Sequence, residues 1–221
     1  MKDIVMSIDE GTTGVTVVLL DRTLNLLAKV NNEFPQYYPQ PGWVEHSPEE
    51  IWECTLKTIE ETVRVADIDP ERIAAIGITN QRETTVLWDR ASGRSVHKAI
   101  VWQDRRTSSI CERLKKKGLE PKIKKKTGLV LDPYFSGTKI QWLLDNVPGL
   151  KQRAVDGSVA FGTMDCYLVN RLSGGKIHVT DVSNASRTLL MNLETLAWDP
   201  ELLKIFQVPA TILPEIKSCS E

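Results

Sequence analysis

Two short stretches of the chain carry residue types able to do chemistry. The first is TNQRETT (79–85), which follows an apolar run, IAAIGI (73–78), that reads as a buried strand. Five polar side chains in a row at the end of such a strand need water, each other, or a ligand, because burying them unpartnered is costly. The second is SIDEGTTG (7–14). An apolar strand ends in Asp9, and Gly11, Thr12, Thr13 and Gly14 turn the chain back into a second strand. Glycine permits a left-handed turn and lets backbone N–H groups approach an anion closely. The threonine hydroxyls add donors, and Asp9 is placed to hold a hydrated Mg²⁺. No G-x-x-x-x-G-K-[ST] string occurs, so this is not a P-loop, and a plain hairpin uses Gly and Thr equally well.

Composition narrows the classes of function. A chain of 221 residues can bury a full core, as one domain or two small ones. Its 28 basic and 29 acidic side chains leave a net charge of −1, so no global field draws nucleic acid or anionic lipid. No apolar run approaches the roughly 20 residues that cross a bilayer, and the opening MKDIVMSID turns polar too soon for a signal peptide. The sequence is therefore expected to work in the cytoplasm without inserting in a membrane. Cys54, Cys111, Cys166 and Cys219 are widely separated, and His46, His97 and His178 are scattered. This pattern is neither a disulfide framework nor a zinc site.

The elements that must position these residues follow from periodicity and punctuation. Strands are predicted at 3–9, 13–21 and 26–34, joined by short turns as an antiparallel meander. After a Pro- and aromatic-rich loop (35–47), Ser47 can cap a helix with Pro48 at its first position. That helix runs to about Asp67 with Ile51, Trp52, Leu56, Ile59 and Val63 at core spacing. The strand at 73–78 follows. Further strands are predicted at 84–89, 98–103 and 158–162, and helices at 105–117, 119–126, 137–147, 164–173 and 200–206. The lysine runs at 115–117 and 124–126 read as solvated helix faces. Asp104 reads as the start of a helix.

The order β-β-β-α-β, opening on an Asp-x-Gly-Thr-Thr hairpin, resembles the first domain of the actin, Hsp70 and sugar-kinase superfamily, whose fold is ribonuclease H-like. PGWVEH (41–46), IAAIGITNQRETT (73–85), IVWQDRRT (100–107), GLVLDPYFSGTKIQWLLD (128–145), FGTMDCYLVNRL (161–172) and VTDVSNASRTLLMNLETLAWD (179–199) resemble the FGGY carbohydrate kinases. Within that family they are most similar to the members that phosphorylate glycerol. The resemblance runs from about residue 3 to the last residue and implies an α/β, mixed sheet flanked by helices. It also implies that residues 1–221 form the family's N-terminal domain, which carries the substrate and the phosphate hairpin, without the C-terminal nucleotide domain.

By the same resemblance, Arg82 and Glu83 hydrogen-bond the hydroxyls of glycerol, Tyr134 contacts it through its phenol, and Trp102 packs on its carbon backbone. For Trp102 and Tyr134, ordinary core packing is the plain alternative. For Arg82 and Glu83 the alternative is a mutual surface pair, which contributes at most about 1 kcal/mol. Gly11, Thr12, Thr13, Gly14 and Thr16 stand where the family meets the terminal phosphates of ATP, and Asp9 stands at the acid near Mg²⁺. Glu10 replaces the more usual glutamine, and Thr16 stands where many members have arginine, so a charge-assisted donor is missing. The catalytic aspartate of the family is expected beyond Glu221. The implied activity is ATP-dependent phosphorylation of glycerol to sn-glycerol 3-phosphate by a homo-oligomer, dimer or tetramer, with the isolated chain inactive. Two other readings remain: a kinase for another polyol or sugar, and a non-catalytic glycerol-binding module.

Overall fold

The computed structural model describes residues 2–220, so Met1 and Glu221, the expected ends of the domain, lie outside the described residues. The chain forms two compact units. Unit 1 holds the residues up to Gln36 together with Ser47–Gln81, and unit 2 holds Tyr37–His46 and everything from Arg82 onward.

Unit 1 contains the predicted meander. Strands β1 (Ile4–Glu10), β2 (Gly14–Leu20) and β3 (Leu26–Glu33) pair antiparallel in sequence order, with Asp9 opposite Thr16 and Gly14 opposite Glu33. Period-2 alternation buries Ile4, Met6 and Ile8 from β1 and Val17 and Leu19 from β2. Helix α1 (Pro48–Ala66) starts where its cap residues indicate, with the Ser47 hydroxyl accepting the Glu50 N–H. It packs over β2 and β3.

The buried stripe of α1 is not the expected one. Ile51, Thr55, Thr58 and Thr62 face inward, whereas Leu56 is exposed and Trp52, Ile59 and Val63 are only partly covered. Each threonine hydroxyl donates to the carbonyl four residues back, at 2.8, 2.7 and 2.6 Å. The side chains are thereby satisfied within the helix and present their methyl groups to the sheet.

A second expectation fails in the same unit. The strand expected to be buried is β5 (Ile73–Asn80), and it is an edge strand, hydrogen-bonded only to β1, in parallel. Ala74, Ala75, Ile76 and Gly77 are exposed, and Ile76 is 48% exposed. An apolar run tells that a strand suits a core; it does not say whether both faces are covered.

Unit 2 is built from short pieces. Strand β4 (Glu45–His46) pairs with β7 (Ala99–Ile100), which is shorter than the predicted 98–103. Strand β6 (Val86–Asp89) pairs antiparallel with β8 (Val159–Gly162). Strand β9 (Val179–Asp181) pairs in parallel with β12 (Glu215–Lys217), and β10 (Met191–Asn192) pairs with β11 (Ala197–Trp198). The helices are α2 (Ser108–Lys116), α3 (Glu120–Thr127), α4 (Ser136–Asn146), α5 (Leu150–Val155), α6 (Met164–Leu172), α7 (Val182–Ala185) and α8 (Pro200–Phe206). Their shared core includes Leu87, Ile100, Ile140, Leu143, Phe161 and Phe206. No helix among the described residues is long and apolar enough to cross a membrane.

Asp104 does not start a helix. It is 1% exposed, accepts the Val44 N–H at 2.7 Å, and takes the Arg106 guanidinium through Nε and Nη2. Arg106 also reaches Glu45 at 2.8 Å and lies over the Trp43 ring at 3.7 Å. This buried network fastens Tyr37–His46 to its unit. The lysine runs are exposed as expected except at Lys126, which is partly covered and pairs with Asp199 and Glu201.

Asp165, at the start of α6, accepts from the hydroxyls of Thr163 and, at 2.7 Å, Thr180 of β9. Burial pushes its carboxyl up to about 6. A folded-state value above the unfolded one favours folding at low pH, and that contribution fades as pH rises through about 6. Relative to Asp165→Asn, the wild type should therefore lose on the order of 2–3 kcal/mol between pH 4 and 7. Urea unfolding of both proteins at the two pH values checks this. His46 and His178, which burial lowers to about 4, act in the opposite sense but are common to both proteins. A wild-type-to-variant difference that ignores pH would refute the assignment.

Candidate functional site

In unit 1 the candidate residues share one hairpin. Gly11 donates its N–H to the Gly14 carbonyl at 2.9 Å, so it offers an anion no amide proton. The Thr12 carbonyl accepts from Gln36 Nε2 at 2.9 Å and the Thr13 carbonyl from the Phe34 N–H at 3.3 Å, which holds the turn in place. Neither Gly11 nor Gly14 adopts the left-handed backbone expected of a glycine turn. Their need for glycine is steric instead. A Cβ on Gly14 would sit 2.5 Å from the Asn32 carbonyl oxygen, and one on Gly11 3.3 Å from the Gly14 oxygen.

Glu10 resolves one departure noted in the sequence. It is fully buried and accepts from Gln81 Nε2 at 2.6 Å, so its carboxylate is engaged at the hairpin's own strand end. The Gln81 N–H reaches the Glu10 carbonyl at 2.7 Å. The Thr16 hydroxyl accepts from Asn31 Nδ2 at 2.9 Å. Asp9 is exposed, and no cluster of three or more His, Cys, Asp or Glu able to hold a metal exists among the described residues. A lone carboxylate is the donor set that suits Mg²⁺ when waters and phosphates fill its other positions.

In unit 2 a polar group meets an aromatic wall. Glu83 is 2% exposed and sits in the left-handed region at φ 65°, where a non-glycine residue is strained. Its carbonyl accepts from Ser136 Oγ at 3.1 Å and Thr85 Oγ1 at 3.3 Å. Its carboxylate accepts from Arg187 Nε at 2.6 Å. The Arg187 guanidinium also lies 5.0 Å from the Phe135 ring and 5.9 Å from the Tyr134 ring. Tyr134 stacks edge-on against Trp102, with centroids 5.5 Å apart, and the Trp102 N–H reaches the Thr84 hydroxyl at 3.3 Å. Glu83, Trp102 and Tyr134 thus belong to one cluster. Arg82 adjoins it in the chain, but its side chain is exposed and has no ion-pair partner among the described residues.

A family model described as the FGGY family of carbohydrate kinases, N-terminal domain, matches residues 4–221. The chain belongs to that family. Among FGGY relatives it is 57% identical over 216 residues to a glycerol kinase of Nitrobacter hamburgensis, covering 98% of this chain and 43% of that protein. It is 56% identical over 220 residues to a glycerol kinase of Desulfitobacterium hafniense, covering 44% of its length. A crystal structure of Plasmodium falciparum glycerol kinase with ADP superposes at a TM-score of 0.91 and 39% identity, covering 97% of this chain and 43% of that one. A gluconate kinase of Lactobacillus acidophilus gives 0.87 at 28% identity, covering 97% of this chain and 42% of that one. The chain therefore spans less than half the length of the FGGY proteins it matches.

Two members of the cluster escaped the sequence reading. Arg187 lies 104 positions from Glu83 in a string quoted only for its likeness to the family. The signal was a solitary arginine in the otherwise small and polar SNASRT. Lys139, on the first turn of α4, is fully buried, and its place at helical spacing after DPYFSG gave no warning of that.

Proposed function

We propose that this chain is the substrate-carrying part of an ATP-dependent glycerol kinase that makes sn-glycerol 3-phosphate. The observation that carries the reading is the buried Glu83 carboxylate, paired with the partly exposed Arg187, beside the Trp102–Tyr134 wall. A small triol offers O–H donors, lone pairs and a thin C–H edge. Glu83 accepts hydroxyl protons, Arg82 and the Tyr134 phenol supply further polar contacts, and Trp102 covers the carbons. In unit 1, the amides and hydroxyls of Thr12, Thr13 and Gly14 bind the terminal phosphates of ATP, Gly11 and Thr16 shape that turn, and Asp9 holds Mg²⁺ through water. The metal would neutralise charge on the phosphates. Transfer of the γ-phosphoryl group then rests on positioning and electrostatics.

The aspartate that accepts the hydroxyl proton and the domain that holds the adenine are assigned to the share of the relatives' length this chain does not span. On this reading residues 1–221 are one N-terminal domain of ribonuclease H-like, actin-like type. The full enzyme is a cytoplasmic homo-oligomer, dimer or tetramer.

Glycerol is favoured over other sugars because identity is 57% to a glycerol kinase and 28% to gluconate and xylulose kinases. A titration of the chain with glycerol, xylulose and gluconate tests this, and tighter uptake of either sugar would reverse the choice. In an enzyme of the relatives' full length, Arg82→Ala should raise KM for glycerol by about 10-fold or more with little change in KM for ATP. Equal changes in both would remove Arg82 from the substrate. With MgATP alone the 221-residue chain should release no glycerol-dependent ADP. Release would place the proton acceptor within it.

A further inference from the structure

Lys139 stands out among the buried groups because nothing in the proposed chemistry uses it. It is 0% exposed, and no carboxylate of the described residues pairs with it. Burying an ammonium costs several kcal/mol unless polar atoms replace its water, so a leucine or methionine would serve better if packing were the only need. What replaces the water is a run of three consecutive carbonyls. Lys139 Nζ donates to Pro133 O at 2.8 Å, to Tyr134 O, and to Phe135 O at 3.4 Å. These residues form the bend that enters α4, and Tyr134 is its middle member.

We infer that Lys139 is a positioning residue for the polyol subsite, acting through Tyr134, an inference that rests on the glycerol reading above. From the other side, Asp132 Oδ1 accepts the Tyr134 N–H at 2.9 Å, so the residue is gripped at both its N–H and its carbonyl. Those two atoms fix the backbone from which the ring projects, and the ring meets Trp102 and Phe135 at centroid distances of 5.5 and 5.1 Å. The same helical turn holds the other wall of the cluster. Ser136 binds the Glu83 carbonyl, and the Gly137 N–H binds the Thr188 carbonyl at 2.7 Å, next to Arg187. Of the ties made by this helical turn, only that of Lys139 uses a titratable group. Burial lowers its ammonium to about 7, while the facing Glu83, Asp104, Asp132 and Cys111 act to keep the proton.

The test is aromatic NMR of the tyrosine-labelled 221-residue chain, with a glycerol titration, in wild type and Lys139→Met. The expected result is that Tyr134 ring signals move while those of Tyr167, packed on Trp88 in the core, stay in place. Glycerol affinity should fall by about 10-fold. In the wild type alone, the Tyr134 signals should also shift between pH 6 and 8. A Tyr134 ring and a glycerol affinity unchanged in Lys139→Met would overturn the inference. A wild type that binds no glycerol while Tyr134 still moves in the variant would sink the glycerol reading and uphold the positioning role. Should Lys139→Met fail to fold, Lys139→Gln keeps two N–H donors and should displace Tyr134 less. Loss of the Tyr167 signals in that variant as well would make Lys139 a residue of the fold and overturn the inference.

Discussion

Arg187→Ala should destabilise unit 2 by about 3–5 kcal/mol and abolish measurable glycerol binding. Glu83 is 2% exposed and its carboxylate is held at 2.6 Å by the guanidinium it would lose. A buried pair adds little net stability compared with apolar replacements, but removing one partner strands the other charge in a poor solvent, which accounts for the size of the loss. Against a typical stability of roughly 5–15 kcal/mol, that is a large fraction. Arg187→Lys should recover part of the stability and little of the binding, because an ammonium lacks the planar fork that meets both Glu83 and the Tyr134 and Phe135 rings. A double-mutant cycle with Glu83→Gln isolates the pair: the double variant should be more stable than the sum of the singles predicts. Urea unfolding and glycerol titration measure both quantities. An Arg187→Ala chain that unfolds and binds like the wild type would end the claim that Glu83 depends on it.

The second large effect belongs to unit 1. A Cβ added at Gly14 would lie 2.5 Å from Asn32 O, 3.1 Å from Glu33 Cα and 3.2 Å from Asn32 C. All three are backbone atoms of β3, so no side chain can swing away and the strands must part. Gly14→Ala should cost about 2–3 kcal/mol or more, at the upper end of overpacking penalties. Amide hydrogen exchange along β2 and β3 should accelerate, while β6 and β8 keep their protection. Gly77→Ala is the control: nothing lies within 4 Å of its Cβ, and a shift within roughly ±0.5 kcal/mol is expected. Similar exchange in the two variants would contradict the steric account. The glycine at 14 is thus required by its own sheet before any nucleotide is considered.

Local signals in the sequence held wherever neighbours in the chain decide the outcome. The meander follows from alternation and short turns, and the start of α1 from Ser47 and Pro48. They failed where a distant partner decides. Hydropathy ranks Leu56 above Thr55, yet the threonine is buried because its hydroxyl can be satisfied within the helix and leave a methyl group outward. Strand β5 has the composition of a central strand, and nothing in its residues says that one edge lacks a neighbour. Asp104 has the look of a helix cap until Arg106 and Val44 are seen to claim both its oxygens. Likeness to a family grouped Tyr134, Glu83 and Trp102, which the fold brings near one another, whereas Arg187 became visible only when the fold brought it to Glu83.

The excursion of Tyr37–His46 out of unit 1 sets an order of events on the ribosome. Unit 1 is complete in sequence at Gln81, so its sheet and α1 can close as soon as that residue emerges. Strand β4, by contrast, has its partner at Ala99–Ile100. At about 5–20 residues per second, the chain from His46 to Ile100 takes roughly 3–11 s to make. For those seconds Glu45, which is 6% exposed in the finished protein, waits without Arg106. The nascent chain must then hold a folded unit with an open loop of ten residues, and slowing elongation between Gln81 and Arg106 would prolong that state.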